Sequence, residues 1–139
     1  MVNIAGPQDT IIVCVMGYFG EYLIDIAEHI GVNVIRVDVE WGETIDPADV
    51  KAALDKHPEV KAVFATHCET STGALNDIQA IGSVVKNYDA IFAVDAVSSL
   101  AGAPLYMDDW NVDIVATGGQ KALMLPPGLS LIAISDKAW

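Results

Sequence analysis

Apolar runs of strand length alternate with amphipathic helical segments along almost the whole chain. These runs are rich in Val and Ile, as β-strands are, and they cover residues 10–16, 33–39, 60–66, 90–96, 112–117 and 129–135. Strands joined by helical crossovers predict a largely parallel sheet with right-handed connections. Because nearly all of the runs are apolar on both faces, helices are expected on both sides of the sheet. The sequence therefore predicts a three-layer α/β/α domain with a mostly parallel sheet.

Three helices are predicted between the first four strands. The first covers 19–30 and ends before Gly31. The second begins at Asp46-Pro47, an N-cap followed by a proline at the first helical position, and the third is expected to be capped by Asn76 and to end near Tyr88. The face of the first helix predicted to turn inward consists of Phe19, Tyr22, Leu23, Ile26, Ala27 and Ile30.

Composition excludes several classes of function. The 139 residues are enough for one core, and a net charge of −12 argues against binding to a nucleic-acid backbone. No apolar run reaches membrane-spanning length and no signal peptide is recognisable, so a cytoplasmic protein without a membrane partner is expected. The two cysteines, Cys14 and Cys68, form no CxxC pair and are expected to be reduced.

Chemically distinctive residues follow four of the predicted strands. The first strand is followed by Gly17–Gly20 and the third by 67–73 with its hydroxyl side chains; the chain leaves the fourth strand through Asp95, and the fifth is followed by 118–121. In a parallel sheet these stretches share the carboxyl edge, where ligands of open α/β sheets bind. The sequence thus predicts a site that brings together a carboxylate, an amine, hydroxyls and an aromatic ring.

Lys121 and Asp95 are unusual for their surroundings. Lys121 is the only basic residue between Asn87 and Asp136, and Asp95 directly follows the apolar Ile-Phe-Ala-Val. A desolvated lysine would have a lowered pKa and be a nucleophile toward an aldehyde, whereas a carboxylate in an apolar setting requires a cationic partner. These are the two demands of pyridoxal phosphate, which needs a covalent anchor and a partner for its ring nitrogen. The alternative is a structural Asp–Lys pair at the end of the sheet.

Two segments carry a resemblance to a known family. "HCETSTG" at 67–73 and the stretch from Ala93 to Trp139, with its Gln-Lys-Ala-Leu and Pro-Pro-Gly motifs, resemble the large domain of class V, fold-type I pyridoxal-phosphate aminotransferases in order and spacing. The likeness is greatest to the alanine–glyoxylate and serine–pyruvate aminotransferase group. It implies a ping-pong transfer of an amino group between an amino acid and a 2-oxo acid.

The resemblance also implies roles for individual residues. Lys121 would form the Schiff base with pyridoxal 5'-phosphate and carry the proton, and Asp95 would pair with the pyridine nitrogen. Phe19 would stack on one face of the ring, where the family usually has tryptophan, and Val97 would press the other face. The hydroxyls of Thr70 and Ser71 and the amide of Gln120 would contact the phenolic oxygen or the phosphate.

Each of these residues also has a purely structural interpretation. Phe19 can begin the helix stripe, Val97 can belong to the core, and Thr70 and Ser71 can form a hydrogen-bonded turn. His67, Cys68 and Glu69 are all possible metal ligands, but adjacent residues in an extended segment point to alternating sides, and no metal is expected.

Members of the family are much longer than this chain. Residues 1–139 are expected to be a partial cofactor-binding large domain, with the phosphate-gripping turn before Met1 and the small domain, which carries the substrate-binding arginine, after Trp139. Arg36 matches nothing in that role. A homodimer is implied by resemblance. Two other interpretations are a different class V enzyme, such as a cysteine desulfurase-like lyase, and a non-catalytic α/β fragment; desulfurases usually have histidine where this chain has Gln120.

Overall fold

Five parallel strands and one antiparallel strand form a single sheet. The computed structural model describes all residues from 1 to 139. The sheet order is β2-β1-β3-β4-β5-β6, with β6 antiparallel to β5. The strands are β1 (Thr10–Val15), β2 (Asn33–Asp38), β3 (Ala62–Thr66), β4 (Ile91–Asp95), β5 (Ile114–Gly118) and β6 (Ser130–Ile134). All six predicted strands are present, and the predicted mostly parallel sheet is confirmed.

Three helices connect the first four strands. They are α1 (Tyr18–His29), α2 (Pro47–Lys56) and α3 (Ile78–Val85). Asp46 caps α2 as predicted, because its carboxylate accepts a hydrogen bond from the Ala48 N–H at 2.8 Å. None of these helices has both the length and the apolar character needed to cross a bilayer.

The predicted start and end of the third helix are wrong. Asp77, not Asn76, caps α3 by accepting a hydrogen bond from the Ala80 N–H, and the helix ends at Val85 rather than near Tyr88. Asn76 is buried, accepts from the Ile45 N–H and donates to the Thr66 carbonyl. An amide serves this position because it can donate and accept at the same time, which a carboxylate cannot.

Two apolar layers lie on opposite faces of the sheet, which confirms the predicted three-layer architecture. On one face, alternate strand residues such as Ile12, Val63 and Phe92 pack against α2 and α3. On the other, Val13 and Phe64 belong to the cluster that includes buried residues of α1. The strand period of two residues sends neighbouring side chains to opposite faces, so each central strand contributes to both layers.

Two expectations about burial are wrong. The apolar run at 129–135 predicted that β6 is covered on both faces, but all five of its residues are exposed. The reason is that β6 is an edge strand on which no helix packs. The face of α1 that is buried consists of Gly20, Ile24 and Ala27 rather than the predicted stripe. Of that stripe only Ala27 is buried, and Tyr22 is exposed.

Candidate functional site

A cavity of about 350 Å³ opens at the carboxyl edge of the sheet, on the face that carries α1. Its apolar wall comes from α1 through Tyr22, Leu23 and Ile26, the residues that the predicted stripe placed in the core. These side chains lie beside the core rather than in it because α1 packs through Gly20, Ile24 and Ala27. The apolar surface of α1 is therefore wide enough to cover the sheet and also to line a site.

Six of the seven residues predicted for the site line this cavity. They come from α1, from the segments after β3 and β5, and from the end of β4, and they are Phe19, Thr70, Asp95, Val97, Gln120 and Lys121. Their predicted convergence at one edge of the sheet is confirmed. It arises because the sheet is parallel from β2 to β5, so that these strands end on the same side.

Ser71 is the exception. It does not line the cavity. Its hydroxyl donates to the Glu69 Oε1 at 2.7 Å and accepts from the Tyr18 N–H at 3.0 Å. A hydroxyl has one proton, and that of Ser71 is already engaged within the protein. The Ser71 proton is therefore committed to Glu69 in this geometry, and contact of Ser71 with a ligand stays a prediction, whereas Thr70 beside it lines the cavity and contacts the hydroxyl of Ser98.

Asp95 is a half-buried carboxylate with few partners. Its Oδ1 accepts a hydrogen bond from the Val97 N–H at 2.8 Å, and it makes no ion pair. Burial raises the pKa of the Asp95 carboxyl above its ordinary value, the Val97 hydrogen bond lowers it, and the negative charge of Glu69 raises it further. The net effect is a carboxylate that is incompletely compensated, as a cation-binding group would be.

Without a ligand, Asp95→Asn is expected to stabilise the protein at neutral pH. Because the fold raises the Asp95 pKa, the folded state holds this proton more tightly than the unfolded chain, and ionisation above that pKa costs stability. The amide keeps the oxygen that accepts from Val97 and removes the charge. We expect a rise in Tm of roughly 2–4 °C at pH 7. Thermal unfolding of the cofactor-free protein should show that the gain in Tm vanishes as the pH falls below the ordinary pKa range of aspartate. A gain in Tm that does not change with pH would contradict the raised pKa of Asp95.

Lys121 lies at the opening of the cavity. It follows β5 within a turn in which its carbonyl accepts from the Met124 N–H at 2.9 Å. The residue is exposed, so the prediction of a desolvated amine is wrong for this chain. Its Nζ makes no hydrogen bond or ion pair with another side chain, in contrast to Lys51, Lys61 and Lys137. An amine without a partner and a carboxylate without a cation therefore face the same cavity.

Thr66 is a cavity residue that the sequence interpretation missed. It ends β3 directly beside Asp95 in the parallel register, and both line the cavity. Its Oγ1 is buried and has no hydrogen-bond partner. A buried hydroxyl without a partner is costly, and this one would be satisfied by a polar ligand in the cavity. The sequence does contain a signal for Thr66, because this hydroxyl residue is the last of the apolar run at 60–66 and precedes the segment predicted to contribute to the site.

The side chains of His67, Cys68 and Glu69 go to three different places. His67 is buried with its ring nearly perpendicular to that of Trp110, and burial lowers the pKa of its imidazole. Cys68 lines the cavity, while Glu69 is fully buried at the start of α1. The alternation expected of an extended segment explains why Cys68 faces the cavity while the residues on either side of it do not. Glu69, considered in the sequence only as a metal ligand, instead binds the backbone of α1.

Comparison with known proteins finds a family model and several relatives that match this chain along nearly its whole length. The family model for class V aminotransferases matches residues 1–139. An uncharacterised aminotransferase of Methanocaldococcus jannaschii is 48% identical over 99% of this chain and 36% of its own length. An alanine–glyoxylate aminotransferase of Rattus norvegicus is 38% identical over 99% of this chain and 33% of its own length.

A solved structure shows the same fold. The crystal structure of ureidoglycine–glyoxylate aminotransferase from Bacillus subtilis superimposes with a TM-score of 0.94 at 35% identity, covering 99% of this chain and 35% of that one. The chain thus spans about a third of the length of the relatives it matches. Since the family model covers every residue, the chain belongs to the class V aminotransferase family.

Proposed function

We propose that this chain is the cofactor-binding part of a pyridoxal 5'-phosphate-dependent aminotransferase. The observation that carries the proposal is the placement of Lys121 and Asp95 in one cavity, from strands that are separated in sequence. An amine able to form a Schiff base and a carboxylate able to hold a protonated ring nitrogen are the two groups that this cofactor requires of a protein. The relatives named above, all aminotransferases, support the same activity.

The residues of the cavity fit such a cofactor. The unpartnered Thr66 hydroxyl and the incompletely compensated Asp95 provide polar groups in the interior of the cavity. Leu23 and Ile26 of α1 provide an apolar wall of the kind that suits a flat aromatic ring. The cavity volume, about 350 Å³, is within the usual range of roughly 300–1,000 Å³ for small-molecule sites.

In this proposal, each residue acts through a defined atom. The Lys121 Nζ would hold the cofactor covalently and, when released, carry a proton. The Asp95 carboxylate would keep the ring nitrogen protonated through a charge-assisted hydrogen bond. The bound group supplies an electron sink, which makes the α-proton of an amino acid easier to remove. Phe19 and Val97 would exclude water from the two faces of the ring.

Polar side chains at the opening would fix the remaining groups of the cofactor. Thr70 is exposed and lines the cavity, and when its hydroxyl accepts from that of Ser98 its own proton can be donated to an anionic oxygen. Gln120 also lines the cavity, and its side-chain amide folds back over Gly118, where an added Cβ would lie 2.7 Å from the Gln120 Oε1. We propose that both contact the phenolic oxygen or the phosphate.

The substrates, assembly and location are part of the same proposal. We propose an amino acid as donor and a 2-oxo acid, glyoxylate or pyruvate, as acceptor. The names of the rat and Bacillus subtilis proteins support glyoxylate, and pyruvate is proposed on the family resemblance. A homodimer in the cytoplasm is proposed on the family resemblance.

Reduction with borohydride tests the proposal in the intact protein. Pyridoxal phosphate should bind, and reduction should fix it irreversibly to one peptide. Proteolysis and mass spectrometry should place the label on Lys121, because no other lysine lines the cavity. A label spread over exposed lysines, or none, would contradict the proposal and favour a non-catalytic α/β domain.

A further inference from the structure

We propose that Glu69 is a positioning residue that holds together the two walls of the cavity, an inference that rests on the proposed function. Glu69 joins the first turn of α1, which carries Phe19, to the turn at 69–73, which carries Thr70. It does not line the cavity itself. Its effect on a bound cofactor is therefore exerted through the two residues whose separation it fixes.

The Glu69 carboxylate binds both walls at the same time. Its Oε2 accepts from the Phe19 N–H at 3.1 Å and from the Gly20 N–H at 3.3 Å. Its Oε1 accepts from the Ser71 N–H at 3.0 Å and from the Ser71 hydroxyl at 2.7 Å. The hydroxyl of Ser71 in turn accepts from the Tyr18 N–H at 3.0 Å. Three of these hydrogen bonds thus connect segments that are about fifty residues apart in sequence, and the two from Ser71 to Glu69 fix the carboxylate within its own turn.

A side chain fully removed from solvent rarely carries a charge without compensation. Glu69 has a relative exposure of 0%, and it makes no ion pair. Two of its four donors are the Phe19 and Gly20 N–H groups at the start of α1, where the helix dipole is positive, and the other two belong to Ser71. Gly17, at the N-cap position, supplies no side-chain cap of its own. Glu69 therefore does for α1 what Asp46 and Asp77 do locally for α2 and α3.

Gly17 makes this approach possible. A Cβ at position 17 would lie 2.4 Å from the Glu69 Cγ and 2.6 Å from the Ser71 Oγ. A Cβ could therefore be placed at position 17 only if the side chains of Glu69 and Ser71 moved away. Gly17 thus leaves the space that the Glu69 side chain occupies, and the Glu69 carboxylate takes the place of an N-cap side chain for α1.

Glu69 also affects the electrostatics of the cavity. The negative charge of Glu69 contributes to the raised pKa of Asp95, so the two carboxylates interact electrostatically. A second negative charge near Asp95 would favour a cation in the cavity, such as a protonated ring nitrogen. The position of Glu69 and its negative charge would therefore both favour binding of the cofactor.

Glu69→Gln in the intact protein tests the proposal. The amide has one acceptor oxygen, so its NH₂ group must face the donors either of α1 or of Ser71. We expect pyridoxal phosphate to bind about tenfold more weakly, and the visible circular dichroism per bound cofactor to fall, because the ring is held less firmly. In the cofactor-free protein, the Phe19 and Gly20 amides should exchange hydrogen faster.

Two further variants separate positioning from general stability. Asp77→Asn makes the same carboxylate-to-amide change at the cap of α3, on the other face of the sheet, and should leave binding and dichroism unchanged. Ser71→Ala removes one donor to Glu69 but keeps its charge, and should weaken binding by about threefold. It is the milder variant if Glu69→Gln folds poorly.

The outcomes distinguish the two proposals. Equal losses in Glu69→Gln and Asp77→Asn, or wild-type binding and amide exchange in both Glu69→Gln and Ser71→Ala, would overturn the role of Glu69. A wild-type protein in which borohydride fails to label Lys121 would instead contradict the proposed function. In that case, faster exchange of Phe19 and Gly20 in Glu69→Gln would still support the connection between the walls.

Discussion

Replacing Lys121 by alanine is expected to abolish covalent attachment of pyridoxal phosphate and to reduce amino-group transfer by at least about a thousandfold. Lys121 lines the same cavity as Asp95, and its Nζ makes no bond with another side chain that would hold it away from the cavity. Alanine removes both the covalent anchor and the group that carries the proton. The visible absorption of the bound cofactor, followed before and after borohydride, measures the first loss, and steady-state transamination measures the second.

Lys56→Ala is the matched control for this variant. Lys56 is an exposed lysine at the end of α2, on the opposite face of the sheet, and does not line the cavity. Its replacement should leave the absorption, the borohydride label and the rate unchanged. An absorption band and a label that persist in Lys121→Ala would show that another lysine is the anchor.

Asp95→Asn is expected to bind the cofactor yet lose activity by roughly a hundredfold or more. The amide is similar in shape and keeps an oxygen for the Val97 N–H, so the cavity should remain intact. It lacks the charge that would keep the ring nitrogen protonated, and without that proton the cofactor withdraws electrons less effectively. Single-turnover kinetics with an amino acid isolates this step from the release of product.

A carboxylate outside the cavity, Asp113, provides the comparison for Asp95. Asp113 lies at the opposite edge of the sheet, where it accepts from the Phe92 N–H and the Ser135 hydroxyl and pairs with Lys137. Because these partners belong to the fold, Asp113→Asn should lower the Tm without changing the rate per folded molecule. An unchanged rate in Asp95→Asn would contradict the proposed role of Asp95.

Local sequence signals predicted the elements and the edge where the site lies. Period and apolar character identified all six strands, and the order of the strand ends brought Asp95, Lys121 and Phe19 to one cavity. These inferences succeed because a parallel sheet fixes where its strands end, whatever the details of packing.

Features that depend on packing between distant segments were not predictable in the same way. The prediction of the buried face of α1 was wrong because that face includes Gly20. A glycine has no side chain that would mark it as apolar in the sequence, yet Gly20 is the residue that approaches the Val15 backbone. Asn76 and Asp77 are both plausible caps, and only the distant Ile45 and Thr66 determine which one is buried. Glu69 acts across some fifty residues, a separation at which no local pattern is informative.

A crystal structure of the intact protein after binding and borohydride reduction of pyridoxal phosphate tests the central claim most directly. The account predicts continuous density from the Lys121 Nζ to the cofactor, with the ring nitrogen within hydrogen-bonding distance of the Asp95 carboxylate. Density joined to a different lysine, or a ring whose nitrogen points away from Asp95, would contradict it.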